Sequence, residues 1–245
     1  MALELAGYLL ACGGTFRAGE LLERYVSWFV REGFDTGPVA ERVFRRIARG
    51  VAPHEAVLLT HNELAMRTAG CNPAHRAAPL AMSAHLPDDE LAELARREAK
   101  LTHWDPVAGN VSAAVVVLCR ALVRGEGWEE SLRKAARHCD VLKRRLQSGG
   151  MEPPLDRSGF APEALWAAVY FVHHSGDPGA ALTRSIEFAG RANYCPVLAG
   201  AIAGARWGAS QVPQTLLGTG PILERVEHAA DSLASTWRLA PERSA

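Results

Sequence analysis

Four polar segments interrupt the apolar runs of this chain, and they hold the side chains that could carry chemistry. The segments read GFDTGP, TAGCNPAHRAAP, LTHWDPVAGN and AGRANYCP, and they begin at residues 33, 68, 101 and 189. Loops held on a rigid scaffold are where binding and catalytic residues are usually found. We therefore expect these segments to line one polar cleft.

The first two segments offer a carboxylate, a thiol and an imidazole. Asp35 precedes a helix that begins with proline, so its carboxylate either caps that helix, the commoner role, or points into a cleft. Cys71 and His75 flank a predicted helix start, where a thiol could be activated as a nucleophile, although a buried and inert cysteine is more common. Arg76 lies at the same helix start, where free N–H groups and the helix dipole favour binding of an anion.

The last two segments offer a base and an anion site. His103 could act as a general base oriented by the carboxylate of Asp105, or it could bond the backbone and hold two helices together. Arg191 and Asn193 could recognise an anion or an amide. Alternatively, Arg191 pairs with a surface carboxylate.

The elements that position these loops are all predicted to be helices. Apolar residues recur at helical spacing, and no stretch alternates with a period of two between hairpin turns. The run Ser112–Val123 is apolar on nearly every face, so its helix belongs in the centre. The predicted helices span Ala2–Ala11, Ala18–Arg31, Pro38–Arg49, His54–Thr68, Arg76–Ala84, Asp88–Lys100, Pro106–Arg124, Trp128–Gln147, Pro162–His174, Pro178–Glu187, Pro196–Trp207 and Ile222–Trp237.

Length and composition predict a single all-α domain over residues 1–238 with a frayed tail at 239–245. Lys plus Arg and Asp plus Glu number 27 each, so no overall charge attracts nucleic acid or an anionic membrane. The five cysteines are scattered and form no CxxC pair, which favours a reducing cytoplasm over a disulfide framework. The apolar start has no basic flank and is too short to span a bilayer, so neither a signal peptide nor a membrane partner is expected.

Taken together, the loop segments and the runs that follow them resemble the ADP-ribosylglycohydrolase family of all-helical hydrolases. The matching segments are YVSWFVREGFDTGP, AGCNPAHRAAPLAM, LTHWDPVAGNVSAAVVVLCRALVRG, SGFAPEALWAAVYFV and AGRANYCPVLAGAIAGARWGASQVP. The resemblance covers nearly the whole chain and implies a single compact orthogonal helical bundle.

The resemblance also implies where a metal site would lie and that its ligands are altered. Family members hold two Mg²⁺ or Mn²⁺ ions with an early Thr-Asp-Asp-Thr segment and a late Asp-x-Asp-Thr segment. The late segment falls on Arg191, Ala192, Asn193 and Tyr194, and the chain starts just beyond the early one. Only Asp35 matches a metal-binding aspartate of the family, so we expect no metal and no other cofactor.

The resemblance further assigns a set of ligand-contacting positions. The family turn Gly-Asn-Gly-Ser-Leu-Met-Arg is altered here to Gly70–Arg76, and a Gly-Tyr pair that lies against the ligand becomes Gly159 and Phe160. The expected catalytic residues are Asp35, Cys71, His75 and His103, and the expected substrate-binding residues are Asn72, Arg76, Phe160, Arg191, Asn193 and Tyr194.

Three functions follow as hypotheses. The first is a metal-independent enzyme acting on a nucleotide, a ribosyl conjugate or a small biosynthetic intermediate, since the lost ligands are replaced by chemically capable groups. The second is a pseudoenzyme that binds ADP-ribose without cleaving it, and the third is residual metal-dependent hydrolysis. The expected partner is a small molecule similar to ADP-ribose, and a homodimer is possible because a missing first helix would expose apolar surface.

Overall fold

The computed structural model describes residues 1–12, 16–148 and 154–239. In these ranges every regular element is a helix, and the only extended pairing is an isolated antiparallel bridge between Gly70 and Phe160. The all-α prediction is therefore confirmed. The predicted tail begins at residue 239, where the last helix ends, and residues 240–245 lie outside the described ranges.

The helix bounds agree with the sequence prediction at most positions. The helices are α1 (Ala2–Ala11), α2 (Ala18–Glu32), α3 (Pro38–Ala48), α4 (Pro53–Glu63), α5 (Asn72–Arg76), α6 (Asp88–Ala99), α7 (Pro106–Val123), α8 (Trp128–Ala136), α9 (Asp140–Gln147), α10 (Ala161–His173), α11 (Pro178–Ala189), α12 (Tyr194–Trp207) and α13 (Pro221–Leu239).

Helix α7 is the centre of the bundle, as its apolar composition predicts. Almost all of its residues from Ala108 to Leu122 are buried, and α5, α6, α8, α10 and α12 all pack against it. The helix is long and apolar enough to cross a membrane, but most of it is enclosed by the other helices, as in the core helix of a bundle. Asp105 caps its first turn by accepting a hydrogen bond from the backbone N–H of Val107.

One predicted helix ends early and another is interrupted. The prediction His54–Thr68 is wrong beyond Glu63, because Ala65 and Met66 turn the chain with φ of 49° and 62°. The prediction Trp128–Gln147 is wrong in its middle, where Cys139 is extended and separates α8 from α9. Neither break contains glycine or proline, the residues that usually indicate a helix end in a sequence.

The prediction of one helix over Arg76–Ala84 is also wrong. The chain forms the single turn of α5 and then a 3₁₀ helix over Ala78–Met82. The guanidinium of Arg120, buried on α7, donates hydrogen bonds to the carbonyls of Ala81, Ser83 and Leu86. These side-chain donors give hydrogen-bond partners to buried carbonyls at the end of the 3₁₀ helix and in the segment that follows it.

Helix α12 begins two residues before the predicted start at Pro196. A proline in the first turn of a helix costs nothing, because its missing N–H would have had no partner there. Asn193 is the N-cap residue and Tyr194 the first residue of the helix. Two predicted site residues are thus held at the end of a rigid element.

Candidate functional site

The loop between α2 and α3 meets the start of α12 through a side-chain hydrogen bond. The Asn193 amide nitrogen donates to Asp35 Oδ2 at 2.8 Å, and both side chains are exposed. Asp35 has φ of 45°, a left-handed conformation that is uncommon for residues other than glycine. The N-cap of α3 is Gly37, which has no side chain, so the capping interpretation of Asp35 is wrong.

The same loop presses against the turn that carries Asn72. Gly37 has φ of 76°, and a Cβ placed there would lie 2.6 Å from the Asn72 amide nitrogen. Only glycine fits this position, both for its backbone angle and for the space.

The segment before α10 packs against both the turn that carries Cys71 and the start of α12. The Cys71 N–H donates to the Gly159 carbonyl at 3.1 Å, and the Ala161 N–H donates to the Ala69 carbonyl at 2.9 Å. A Cβ at Gly159 would lie 3.0 Å from Cζ of the Tyr194 ring, so the ring packs directly on this backbone. Phe160, next in the chain, is 44% exposed.

His75 joins the α5 turn to the start of α12. Its Nε2 lies 2.9 Å from the Tyr194 carbonyl oxygen, which can only accept, so Nε2 carries the proton. Burial lowers the pKa of His75 to about 4, although the Tyr194 carbonyl and the charge of Asp35 act in the opposite direction. The imidazole is therefore neutral near pH 7 and its Nε2–H is committed to the backbone.

These contacts bring distant parts of the chain together at one polar site, which is called the cleft below. The predicted site residues that meet there are Asp35, Asn72, His75, Phe160, Asn193 and Tyr194. Arg191 lies two residues before Asn193, with an exposed side chain that has no hydrogen bond or ion pair to the described residues. The surface-pair interpretation of Arg191 finds no partner in that part of the chain.

Cys71 lies beneath the cleft rather than in it. The residue is 1% exposed, and burial raises the pKa of its thiol to about 12. Since the thiolate is the nucleophile, a thiol with this pKa is inert near neutral pH. The geometry favours the buried, inert interpretation of Cys71 over the catalytic one.

Arg76 is also directed inward. Its side chain is 3% exposed, and its Nε donates to Glu98 Oε1 at 2.5 Å while Nη2 donates to Thr102 Oγ1 at 2.9 Å. The hydroxyl of Tyr25 donates to the same Glu98 oxygen at 2.8 Å. Arg76 therefore holds a buried carboxylate and does not face the cleft as an anion ligand would.

His103 is buried beside this ion pair. Its Nδ1 lies 2.8 Å from Thr102 Oγ1, and its Nε2 has no partner among the described residues. Burial lowers the pKa of His103 well below its usual value, with help from Arg76 and His75. Asp105, the predicted orienting carboxylate, caps α7 instead, so the geometry favours the helix-tying interpretation of His103.

Sequence reasoning missed the members of this buried network that lie outside the four loops. Glu98 and Tyr25 lie in predicted helices, and neither of them is assigned a role from the sequence. Glu98 follows Leu91, Leu94 and Ala95 at helical spacing on the buried face of α6. A carboxylate on an apolar face must find a partner, because an unpaired buried charge is costly. That position was a signal available in the sequence.

A family model and a solved structure identify the fold. The model of the ADP-ribosylglycohydrolase family matches residues 1–243. The chain belongs to this family. A solved structure described as an ADP-ribosylglycohydrolase-related protein complex has 29% sequence identity and a TM-score of 0.76, covering 98% of this chain and 80% of that one. A search of curated proteins gave no match.

The described residues that meet at the cleft include one carboxylate, that of Asp35, toward the dinuclear metal site that the family resemblance implies. Hard dications take six or more oxygen ligands, with carboxylates prominent among them. The described residues contain no group of three or more His, Cys, Asp or Glu side chains placed to hold a metal. The Asp35 carboxylate also accepts a hydrogen bond from an amide at the position where the resemblance places a second carboxylate.

Replacing Gly37 by alanine tests the packing of the α2–α3 loop on Asn72. Gly208 has nearly the same backbone conformation (φ 84°, ψ 158° against 76° and 157°), but a Cβ there would meet nothing within 4 Å. We expect both G37A and G208A to lose about 1–3 kcal/mol to backbone strain. Only G37A should lose about 1–3 kcal/mol more through the collision with Asn72.

Urea unfolding of the two variants measures this difference. Equal losses in G37A and G208A would mean that the Asn72 side chain moves aside freely, and the tight loop contact would then not be a constraint on the site.

The lowered pKa of His75 predicts a loss of stability in acid. Folding favours the neutral imidazole, so the unfolded chain binds a proton as the pH falls through about 6.5, while the folded chain binds it only near 4. The free energy of unfolding should fall across this window by up to about 3 kcal/mol from His75, at about 1.4 kcal/mol per pKa unit.

Unfolding curves from pH 7 to 4 for wild type, H75Q and H228Q test this expectation. H75Q should show a shallower decline, whereas H228Q changes an exposed side chain on α13 and should follow wild type. A decline in H75Q as steep as in wild type would contradict the buried neutral imidazole.

Proposed function

We propose that this protein binds an ADP-ribose-like ligand in the cleft without a dinuclear metal centre and without cleaving the ligand. The observation that carries the proposal is the hydrogen bond from the Asn193 amide to the Asp35 carboxylate. An amide donor holds one oxygen of the one metal-binding aspartate that the resemblance retains, and it does so from the position where the family places a second carboxylate.

Arg191 supports the same proposal. It stands where the family pattern has the other late aspartate, so a fixed positive charge replaces a negative one beside the former metal site. A planar guanidinium with no other partner in the described part of the chain is well suited to hold a diphosphate through paired hydrogen bonds. In this proposal the positive charge of Arg191 takes the place of the metal ion that would otherwise contact the ligand.

The remaining cleft residues suit recognition rather than proton transfer. Phe160 and Tyr194 offer aromatic surface, and the amides of Asn72 and Asn193 offer donors and acceptors for hydroxyl groups. The groups that could move protons are withdrawn: Cys71 is buried as a thiol, and His75 gives its Nε2–H to the Tyr194 carbonyl. This withdrawal supports binding without turnover.

A metal-independent enzyme is the second candidate, and one observation favours it. Asp35 is an exposed carboxylate in a left-handed conformation, and strained residues are concentrated at functional sites. Asp35 would then be the general base, acting on a nucleotide, a ribosyl conjugate or a small biosynthetic intermediate held by Arg191.

Isothermal titration with ADP-ribose, with and without EDTA, tests the proposed function. Binding that EDTA leaves unchanged, together with no release of ADP-ribose from ADP-ribosyl-arginine, is the expected result. Cleavage of that substrate without metal would favour the second candidate. An absence of ADP-ribose binding would overturn the proposal.

Replacing Arg191 by alanine tests its role in holding an anion. A charge-assisted hydrogen bond contributes about 1.5–3 kcal/mol, so R191A should bind ADP-ribose about ten- to a hundredfold more weakly than wild type. R133A is the matched control, since Arg133 is an exposed arginine on α8 that pairs only with Glu130. Equal affinities of R191A and R133A would remove Arg191 from the ligand site.

Restoring the two carboxylates tests the loss of the metal site. The double variant R191D/N193D places aspartates at both late ligand positions beside Asp35, and we expect Mn²⁺ to raise its thermal midpoint, because a metal that binds only the folded state stabilises it. Wild type and the control R191Q/N193Q should show no such rise. A Mn²⁺-dependent rise in wild type would support residual metal-dependent hydrolysis instead.

A further inference from the structure

A chain of buried hydrogen bonds runs beneath the cleft from Glu98 to His103. Glu98 Oε1 accepts from Arg76 Nε, Arg76 Nη2 donates to Thr102 Oγ1, and Thr102 Oγ1 lies 2.8 Å from His103 Nδ1. Each of these four residues is at most 3% exposed. Bulk solvent therefore does not reach these groups.

The direction of the bond between Thr102 and His103 follows from counting protons. Arginine can only donate, so the contact with Arg76 uses a lone pair of Thr102 Oγ1 and leaves the hydroxyl proton to find an acceptor. Among the described residues, the acceptor within reach is His103 Nδ1. The opposite direction would leave the buried hydroxyl proton unpaired, which is unfavourable.

This direction fixes the protonation of the imidazole. With Nδ1 accepting from Thr102, a neutral His103 must carry its proton on Nε2. Burial and the nearby Arg76 charge keep the ring neutral near pH 7, so the choice between its two tautomers is the one that matters.

The Nε2–H has no partner among the described residues, and it lies near the turn that carries Asn72. A Cβ on Gly70 would lie 3.4 Å from His103 Nε2 and 3.8 Å from Asn72 Oδ1, so the imidazole N–H and the amide oxygen border the same small space beside Gly70. A buried donor beside an acceptor orients that acceptor, either directly after a small shift or through one bound water.

We propose that Glu98, Arg76 and Thr102 form a positioning relay that holds His103 as the Nε2–H tautomer, a fixed donor that orients the Asn72 amide at the floor of the cleft. The relay gives Arg76 and His103 a shared role that differs from direct ligand contact or catalysis. The proposal rests on the proposed function only in taking the cleft as the ligand site.

Nitrogen NMR of protein labelled with ¹⁵N in its histidines tests the tautomer directly. The chain has nine histidines, so the His103 signals are assigned by their disappearance in H103Q. Wild type should show one protonated nitrogen, Nε2, and one unprotonated nitrogen, Nδ1, with no change between pH 8 and pH 6. A protonated Nδ1 in wild type would overturn the proposal without any variant.

The variants T102V and T102S separate the hydroxyl from its volume. T102V removes the donor to Nδ1 and should shift His103 toward the Nδ1–H tautomer or a mixture, whereas T102S keeps the hydroxyl and should keep the wild-type spectrum. An unchanged Nε2–H signal in T102V would overturn the relay. If T102V does not fold, the wild-type and T102S spectra still decide the tautomer.

Ligand affinity separates this proposal from the proposed function. T102V should bind ADP-ribose several-fold more weakly than T102S, because the Asn72 amide is no longer held. If wild type binds no ADP-ribose at all, the proposed function fails while the tautomer measurement still stands. If wild type binds and T102V binds equally well, the link from the relay to the cleft is overturned.

Discussion

The hydrogen bond between Asn193 and Asp35 joins residues 158 positions apart in the sequence, and the proposed function depends on it. It fixes the α2–α3 loop against the start of α12, while Gly37 on the same loop packs on Asn72. The other contacts lie next to it, because Tyr194 follows Asn193 and packs on Gly159. In the metal-dependent members that the resemblance describes, cations would join these segments. Here a neutral amide joins them, and the proposed change of function follows from this substitution.

Burial determines what the other polar groups under the cleft can do. The Cys71 thiol and the imidazoles of His75 and His103 are desolvated, so the pKa of the thiol rises and those of the imidazoles fall. All three groups are thereby kept neutral near pH 7. Neutral groups with fixed donors and acceptors hold a shape well and transfer protons poorly. The same physical cause thus accounts for the rigid floor of the cleft and for its limited capacity for acid–base catalysis.

The family, the all-helical fold and the central helix α7 could be predicted from the sequence, because apolar spacing and proline positions are local signals. The breaks at Ala65 and Cys139 could not, since neither carries glycine or proline and both depend on tertiary packing.

The site was predicted in part: the loops that meet at the cleft were identified, and Asp35, Asn72, His75, Asn193 and Tyr194 do come together. The inward direction of Arg76 was missed, because sequence does not reveal which side of a turn faces solvent, whereas the buried state of Cys71 was the commoner of its two interpretations. Glu98 could have been noticed on the apolar face of α6. The expected homodimer, the cytoplasmic location and the single-domain boundary remain predictions.

A crystal structure of the protein soaked with ADP-ribose and Mn²⁺, recorded at a wavelength where manganese scatters anomalously, tests the central claim most directly. The account predicts ADP-ribose in the cleft with its diphosphate at Arg191, an intact hydrogen bond between Asn193 and Asp35, and no anomalous peak beside Asp35. A manganese peak bound by Asp35, with the Asn193 amide displaced, would contradict it.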